Sequence, residues 1–156
     1  MKESTTIGYG KATVASFLEA LTSAGVDLVV DVRALANSRR PGFAKNSLAA
    51  NLAGVGIDYM HLRGLGTPAE GRAAARAGKH DHLRSVYASH LRDPVARADL
   101  DVLAGLVRQG RRVCLLCLEE DPRHCHRSLV AEALGELIPI EVEHLHPGAT
   151  TVGDDD

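Results

Sequence analysis

The chain has 156 residues, 45% of them hydrophobic and 24% charged, with a formal net charge of −2. A domain of this length buries ~70% of the surface its unfolded chain exposes, which suits one hydrophobic core and excludes two. The balance also excludes a uniformly basic nucleic-acid coat protein and a polyanionic disordered chain. No apolar run approaches the ~18 residues that span a bilayer, and the N-terminus lacks a signal-peptide core, so the sequence predicts no membrane partner and a cytoplasmic location. With no Trp, two Phe and three Tyr, the core has to be built from Leu, Val, Ile and Ala.

Taken in chain order, residues 5–8 form a short extended run. Val14, Phe17, Leu18 and Leu21 then fall on one helix face, and Gly25 stops that helix. Residues 28–32 are an almost wholly apolar strand of the kind buried on both faces of a parallel sheet. A loop over 33–42 leads to a helix around 47–52, and residues 57–62 make a third strand. Thr67-Pro68 opens an Ala-rich, interrupted helical stretch. His82, Leu83, Val86, Tyr87, His90 and Leu91 make a helical stripe, and Asp93-Pro94 begins a helix that runs to about Gly110. Residues 113–117 are a fourth apolar strand, 126–137 a helix and 140–145 a last strand. Strands alternating with crossover-length helices predict a single three-layer α/β domain, with a mostly parallel central sheet of about five strands flanked by helices. The domain is expected over residues 1–148, with 149–156 as a flexible acidic tail.

The near-neutral total hides a separation of signs. Residues 32–57 carry Arg33, Arg39, Arg40 and Lys45 and no acidic residue, whereas residues 128–156 carry seven acidic residues and no Lys or Arg. In parallel α/β sheets ligands bind beyond the carboxyl ends of the strands, and two loops leave strand ends there with reactive contents. The first contains Asp31, Arg33, Ser38 and Arg39. The second contains Cys117, Glu119, Cys125, His126, Arg127 and Ser128. At the start of a helix, unpaired backbone N–H groups and the positive dipole end favour an anion or a thiolate, which makes Cys125 a candidate nucleophile and Arg127 a donor to phosphate or carboxylate. Glu119, two residues past Cys117, either pairs with an Arg or acts as a general base. Asp31 and Arg33, two apart on one strand face, invite the same pairing.

The three cysteines, Cys114, Cys117 and Cys125, form an odd, clustered set, which argues against a secreted disulfide framework and for reduced thiols. Cys114 and Cys117 match a redox Cys-x-x-Cys pattern, but on a strand residues three apart face opposite ways. Cys117 and Arg123 match the Cys-x5-Arg spacing of thiol phosphatases, but the three carboxylates of residues 119–121 would repel phosphate. Cys117, His124, Cys125 and His126 have the chemistry of zinc ligands. Adjacent Cys125 and His126 are not expected to point into one site, so no metal ligand is assigned. The remaining histidines are read as surface or internally satisfied side chains.

These residues resemble domain-of-unknown-function family 488. The resemblance rests on Ile7-Gly8-Tyr9-Gly10, Asp31-Val32-Arg33, Ser38-Arg39 with Phe43, Gly56-Ile57-x-Tyr59, Leu65-Gly66, Leu116-Cys117-x-Glu119 and Cys125-His126-Arg127, in that order. It implies a single α/β domain with a central sheet, an unsettled activity, and functional weight on Asp31, Arg33, Ser38, Arg39, Cys117, Glu119, Cys125, His126 and Arg127. The chain departs from the family pattern at Ala36, where a Pro is usual, and at Gly66-Thr67, where Gly-Gly is usual. The first departure implies a less rigid Arg33 loop. Arg123 lies outside the family pattern.

The leading expectation is a site for an anionic, phosphate-bearing ligand. Arg33, Ser38, Arg39, Asp31, His126 and Arg127 would bind it, and Cys125, Glu119 and Cys117 would supply any chemistry. Two alternatives stand beside it. One is a nucleic-acid-binding accessory domain using the basic region of residues 32–84. The other is a structural protein whose cysteines form a metal or thiol site. No cofactor is specified by the sequence.

Overall fold

A computed structural model describes residues 2–118 and 125–148. Its elements follow the chain as β1 (Lys2–Gly8), α1 (Val14–Ser23), β2 (Leu28–Asp31), α2 (Lys45–Ala53), β3 (Asp58–His61), α3 (Ala69–Arg76), α4 (His80–His90), α5 (Pro94–Arg108), β4 (Val113–Cys117), α6 (Arg127–Leu137) and β5 (Ile140–Leu145). A 3-10 turn at Arg63–Leu65, which the sequence pattern did not announce, joins β3 to α3. The expected acidic tail lies outside the described residues.

The five strands form one sheet in the order β3-β2-β4-β1-β5. Every pairing is parallel, with Val30 opposite Leu115 and Ile7 opposite Leu116. The inner strands β2 and β4 are buried along their whole length, as a strand covered on both faces must be. Period-two alternation divides their side chains between two cores. Leu28, Val30, Val113 and Leu115 pack with Leu83 and Tyr87 of α4, Leu100 and Leu103 of α5, and Val130 and Leu134 of α6. Ile7, Val29, Cys114 and Leu116 pack on the other face with Phe17 and Leu21 of α1 and Leu48 and Leu52 of α2. The result is the three-layer single domain the alternation of elements predicts.

Local chemistry fixes the helix ends. Thr13 caps α1 by accepting from the Ser16 amide at 3.0 Å, and Gly25 leaves the helix at φ +73°, a conformation that strains other residues. Asp93 caps α5 by accepting from Val95 N at 2.9 Å, with Pro94 in the first turn. Among the described residues, no helix is long and apolar enough to cross a membrane.

This layering positions a site. The helices that follow β1 and β2 lie on one face, whereas α6, which follows β4, lies on the other. Since β4 sits between β2 and β1, the chain diverges to opposite faces around its carboxyl end, and a crevice opens there. Cys117 is the residue at that end.

Candidate functional site

The crevice is a cavity of about 280 Å³ over the end of β4. Tyr9 reaches it from the end of β1, and Arg33, Ala34, Leu35 and Asn37 from the loop after β2. Cys117, Leu118, Cys125 and His126 form its floor, and Thr67, Arg72, Ala75 and Arg76 form the wall carried by α3 and the turn before it.

At the end of β2 the chain turns so that Asp31 and Arg33 face each other while buried. Arg33 Nε donates to Asp31 Oδ1 at 2.9 Å and Nη2 donates to Oδ2 at 2.7 Å, a bidentate pair. Arg33 Nη1 donates to the Phe43 carbonyl at 2.8 Å, and the guanidinium lies 5.6 Å from the Tyr9 ring centroid. The Tyr59 hydroxyl donates to Asp31 Oδ2. Burial opposes the charge of Arg33, but its hydrogen bonds and the charge of Asp31 prevail and raise its pKa. Burial first, then the hydrogen bond to Asp31 and that carboxylate's charge, raise the pKa of Tyr59, so the phenol keeps its proton. Arg33 is thus a structural cation whose donors are mostly occupied, holding the loop that forms one side of the cleft.

Cys117 and Cys125 are joined by a disulfide. This corrects the expectation that all the thiols are reduced. The cause is topological: β4 delivers Cys117 to the sheet edge, and the start of α6 returns to that edge with Cys125 immediately before its first turn. The expectation that Cys125 and His126 diverge is also corrected. The backbone of His126, at φ −70° and ψ −11°, is already helical. Its ring therefore folds back toward the sulfurs, and Nδ1 lies 3.7 Å from Cys125 Sγ and 3.9 Å from Cys117 Sγ.

The other ring nitrogen settles the tautomer. His126 Nε2 is hydrogen-bonded to the Val32 carbonyl, which can only accept, so Nε2 carries the proton and the Nδ1 lone pair faces the sulfurs. Burial pushes the His126 pKa down to about 4, and the nearby Arg127 charge acts in the same direction. The imidazole is neutral at pH 7. The ligand atoms of Cys117, Cys125 and His126 lie within 4.8 Å of one another. Once reduced, this set has the chemistry of three zinc ligands.

Other predicted residues are placed differently. Arg127 is fully buried at the start of α6, where Nε donates to Thr6 Oγ1 at 3.1 Å, and it does not line the cleft. Ser38 accepts from the Arg40 amide at 3.1 Å and shapes the loop, while Arg39 is exposed; neither lines the cavity. Glu119, Arg123 and His124 lie outside the described residues. Cys114 points to the face opposite Cys117, as strand alternation requires, and complete burial pushes its pKa up to about 12. His61 bonds the Arg33 carbonyl at 2.7 Å and His90 the Gly64 carbonyl at 2.8 Å, so these two are internally satisfied.

Sequence reading missed Arg72 and Arg76. They stand four residues apart on α3 and so share a helix face, and that spacing after Thr67-Pro68 is the signal that could have found them. Arg72 Nη1 donates to the Thr67 carbonyl at 2.8 Å. Among the described residues, neither Arg72 nor Arg76 has a carboxylate partner.

Fold and site together define a single-domain α/β protein with a cleft at its topological switch point and a disulfide in the cleft floor. The chain belongs to the family described as Domain of unknown function DUF488, which it matches over residues 13–134. No curated protein and no solved structure matches it.

Proposed function

We propose that this protein binds a small anionic, phosphate-bearing ligand in the cleft over β4. The observation that carries the reading is the contrast among its three arginines. Arg33 spends its charge on Asp31, whereas Arg72 and Arg76 line the same cavity without a carboxylate partner among the described residues. Guanidinium groups in such a cleft recognise phosphate and carboxylate through paired N–H donors. Asn37 and Thr67 add polar groups beside them. The cavity is sized for a small molecule rather than a polymer. We assign the protein to the cytoplasm, where a disulfide is normally a transient state.

Thermal denaturation with and without inorganic phosphate tests the reading. A ligand at about 100 times its Kd stabilises the folded state by about 2.7 kcal/mol. Phosphate is expected to raise the Tm of the parent protein, and the Arg72→Gln/Arg76→Gln variant is expected to lose that response while keeping its own Tm. An unchanged response in the variant would overturn the assignment of these residues. Binding of duplex or single-stranded nucleic acid that weakens steeply with salt would instead favour the nucleic-acid alternative.

A further inference from the structure

We propose that Cys117 and Cys125 form a reversible dithiol/disulfide pair that exchanges with a small anionic thiol, or its disulfide, held in the cleft by Arg72 and Arg76. The inference rests on the anion-binding reading above and names the substrate class for it. Three observations converge. The disulfide lies in the cavity floor, and its two cysteines belong to neither core cluster. Its two sulfurs share one imidazole, whose Nδ1 lies 3.7 and 3.9 Å from them while Nε2 is held by the Val32 carbonyl. Cationic side chains line the same cavity. A disulfide that merely staples a surface loop needs neither the imidazole nor the arginines.

The geometry assigns the order of events. Both cysteines are buried, and Cys117 is the more exposed residue of the two, 8% against 3% for Cys125. Cys125 precedes the first turn of α6, where the positive end of the helix dipole stabilises a thiolate. An incoming thiolate RS⁻ therefore attacks Cys117 Sγ. The RS–Sγ117 bond forms, the Sγ117–Sγ125 bond breaks, and its electron pair leaves on Cys125 Sγ. A second thiolate attacks the substrate sulfur of this mixed disulfide, releasing RSSR and the Cys117 thiolate. The two protons of the two RSH molecules end on Cys117 and Cys125. His126 Nδ1, which has no proton of its own, accepts the hydrogen bond of the Cys125 thiol. Run backwards, the same steps reduce RSSR and oxidise the protein. Two electrons move in either direction.

The test uses the whole chain, reduced and freed of reductant, and three disulfides of similar size: 3,3′-dithiodipropionate with two carboxylates, neutral 2-hydroxyethyl disulfide, and cationic cystamine. Oxidation is followed by mass spectrometry after alkylation. Cys117 and Cys125 are expected to lose their alkylation together while Cys114 stays unreacted. Dithiodipropionate is expected to react at least about tenfold faster than cystamine, the scale of a short-range charge effect near a protein surface. Inorganic phosphate should suppress that preference, and Arg72→Gln/Arg76→Gln should abolish it, bringing the dithiodipropionate and cystamine rates together. In Cys125→Ser, reagent should remain trapped on Cys117 as a mixed disulfide. If that variant does not fold, equilibration of the parent protein in mixtures of 3-mercaptopropionate and its disulfide still decides the point, because a single two-electron transition is expected.

Failure to oxidise with any reagent would overturn the proposal, as would a reduced protein that takes up one zinc ion and is then inert to all three. If exchange shows no charge preference while phosphate still raises the Tm, the exchange proposal fails and the anion reading survives. If phosphate gives no stabilisation and the charge preference is also absent, both fail.

Discussion

His126 works through the hydrogen bond it makes away from the sulfurs. Donation from Nε2 to Val32 fixes the ring, and burial with a neighbouring Arg127 keeps it uncharged, with a pKa of about 4 against an ordinary 6.5. Between these values the unfolded chain binds a proton that the folded chain refuses. This contribution to stability is therefore complete above pH ~6.5 and is lost as pH falls toward 4, amounting to on the order of 3 kcal/mol for a shift of this size. Denaturant unfolding of the parent protein at several pH values should show this loss. In His126→Gln, whose amide nitrogen can still donate to Val32, the pH dependence over that range should flatten. An equally steep curve in the variant would assign the titration to another group. The pairing of Asp31 with Arg33 could be expected from their spacing on one strand face. The convergence of Cys125 and His126 could not, because it depends on a helical backbone angle at His126 just where strand and loop rules stop applying.

At the scale of elements, sequence reading succeeds where one force dominates. The runs at Leu28–Asp31 and Val113–Cys117 are too apolar for anything but a doubly covered strand, and α5 has a cap, a first-turn proline and a clean buried stripe. At α3 it finds the helix that Thr67-Pro68 opens but not the role of its two arginines, which gain meaning only when the helix is set against the cleft. What sets it there is Gly66, which precedes Thr67-Pro68. A Cβ at Gly66 would overlap the backbone of Ala34, so the turn before α3 and the Arg33 loop touch at van der Waals distance only because this side chain is absent. The residue has ordinary extended backbone, so close approach rather than left-handed geometry explains the glycine. Gly66→Ala should push the two walls of the cleft apart, at a cost of about 1–3 kcal/mol for overpacking. It should also remove the Tm response to phosphate, although every arginine is retained. A variant that loses stability and keeps the full phosphate response would show that this contact does not shape the site.

The whole molecule concentrates its chemistry at one point because of strand order. That β4 lies between two strands whose helices go to the other face is not written in any local pattern; it emerges only from the pairing of β4 with both β1 and β2. The same topology leaves the disulfide outside both cores. Both cores close through Leu, Val, Ile, Phe and Tyr side chains, and neither Cys117 nor Cys125 belongs to either cluster. The bond closes a loop of sequence separation 8, and chain entropy assigns a loop of about that length roughly 2–3 kcal/mol. That is a fraction of the ~5–15 kcal/mol expected of a domain. Reduction should therefore lower the free energy of unfolding by up to this amount and shift the denaturant midpoint, while the transition stays single and cooperative. Denaturation followed by circular dichroism with and without dithiothreitol checks this directly. A reduced protein that loses its cooperative transition would make the disulfide a structural staple, leaving no folded dithiol state from which exchange could proceed.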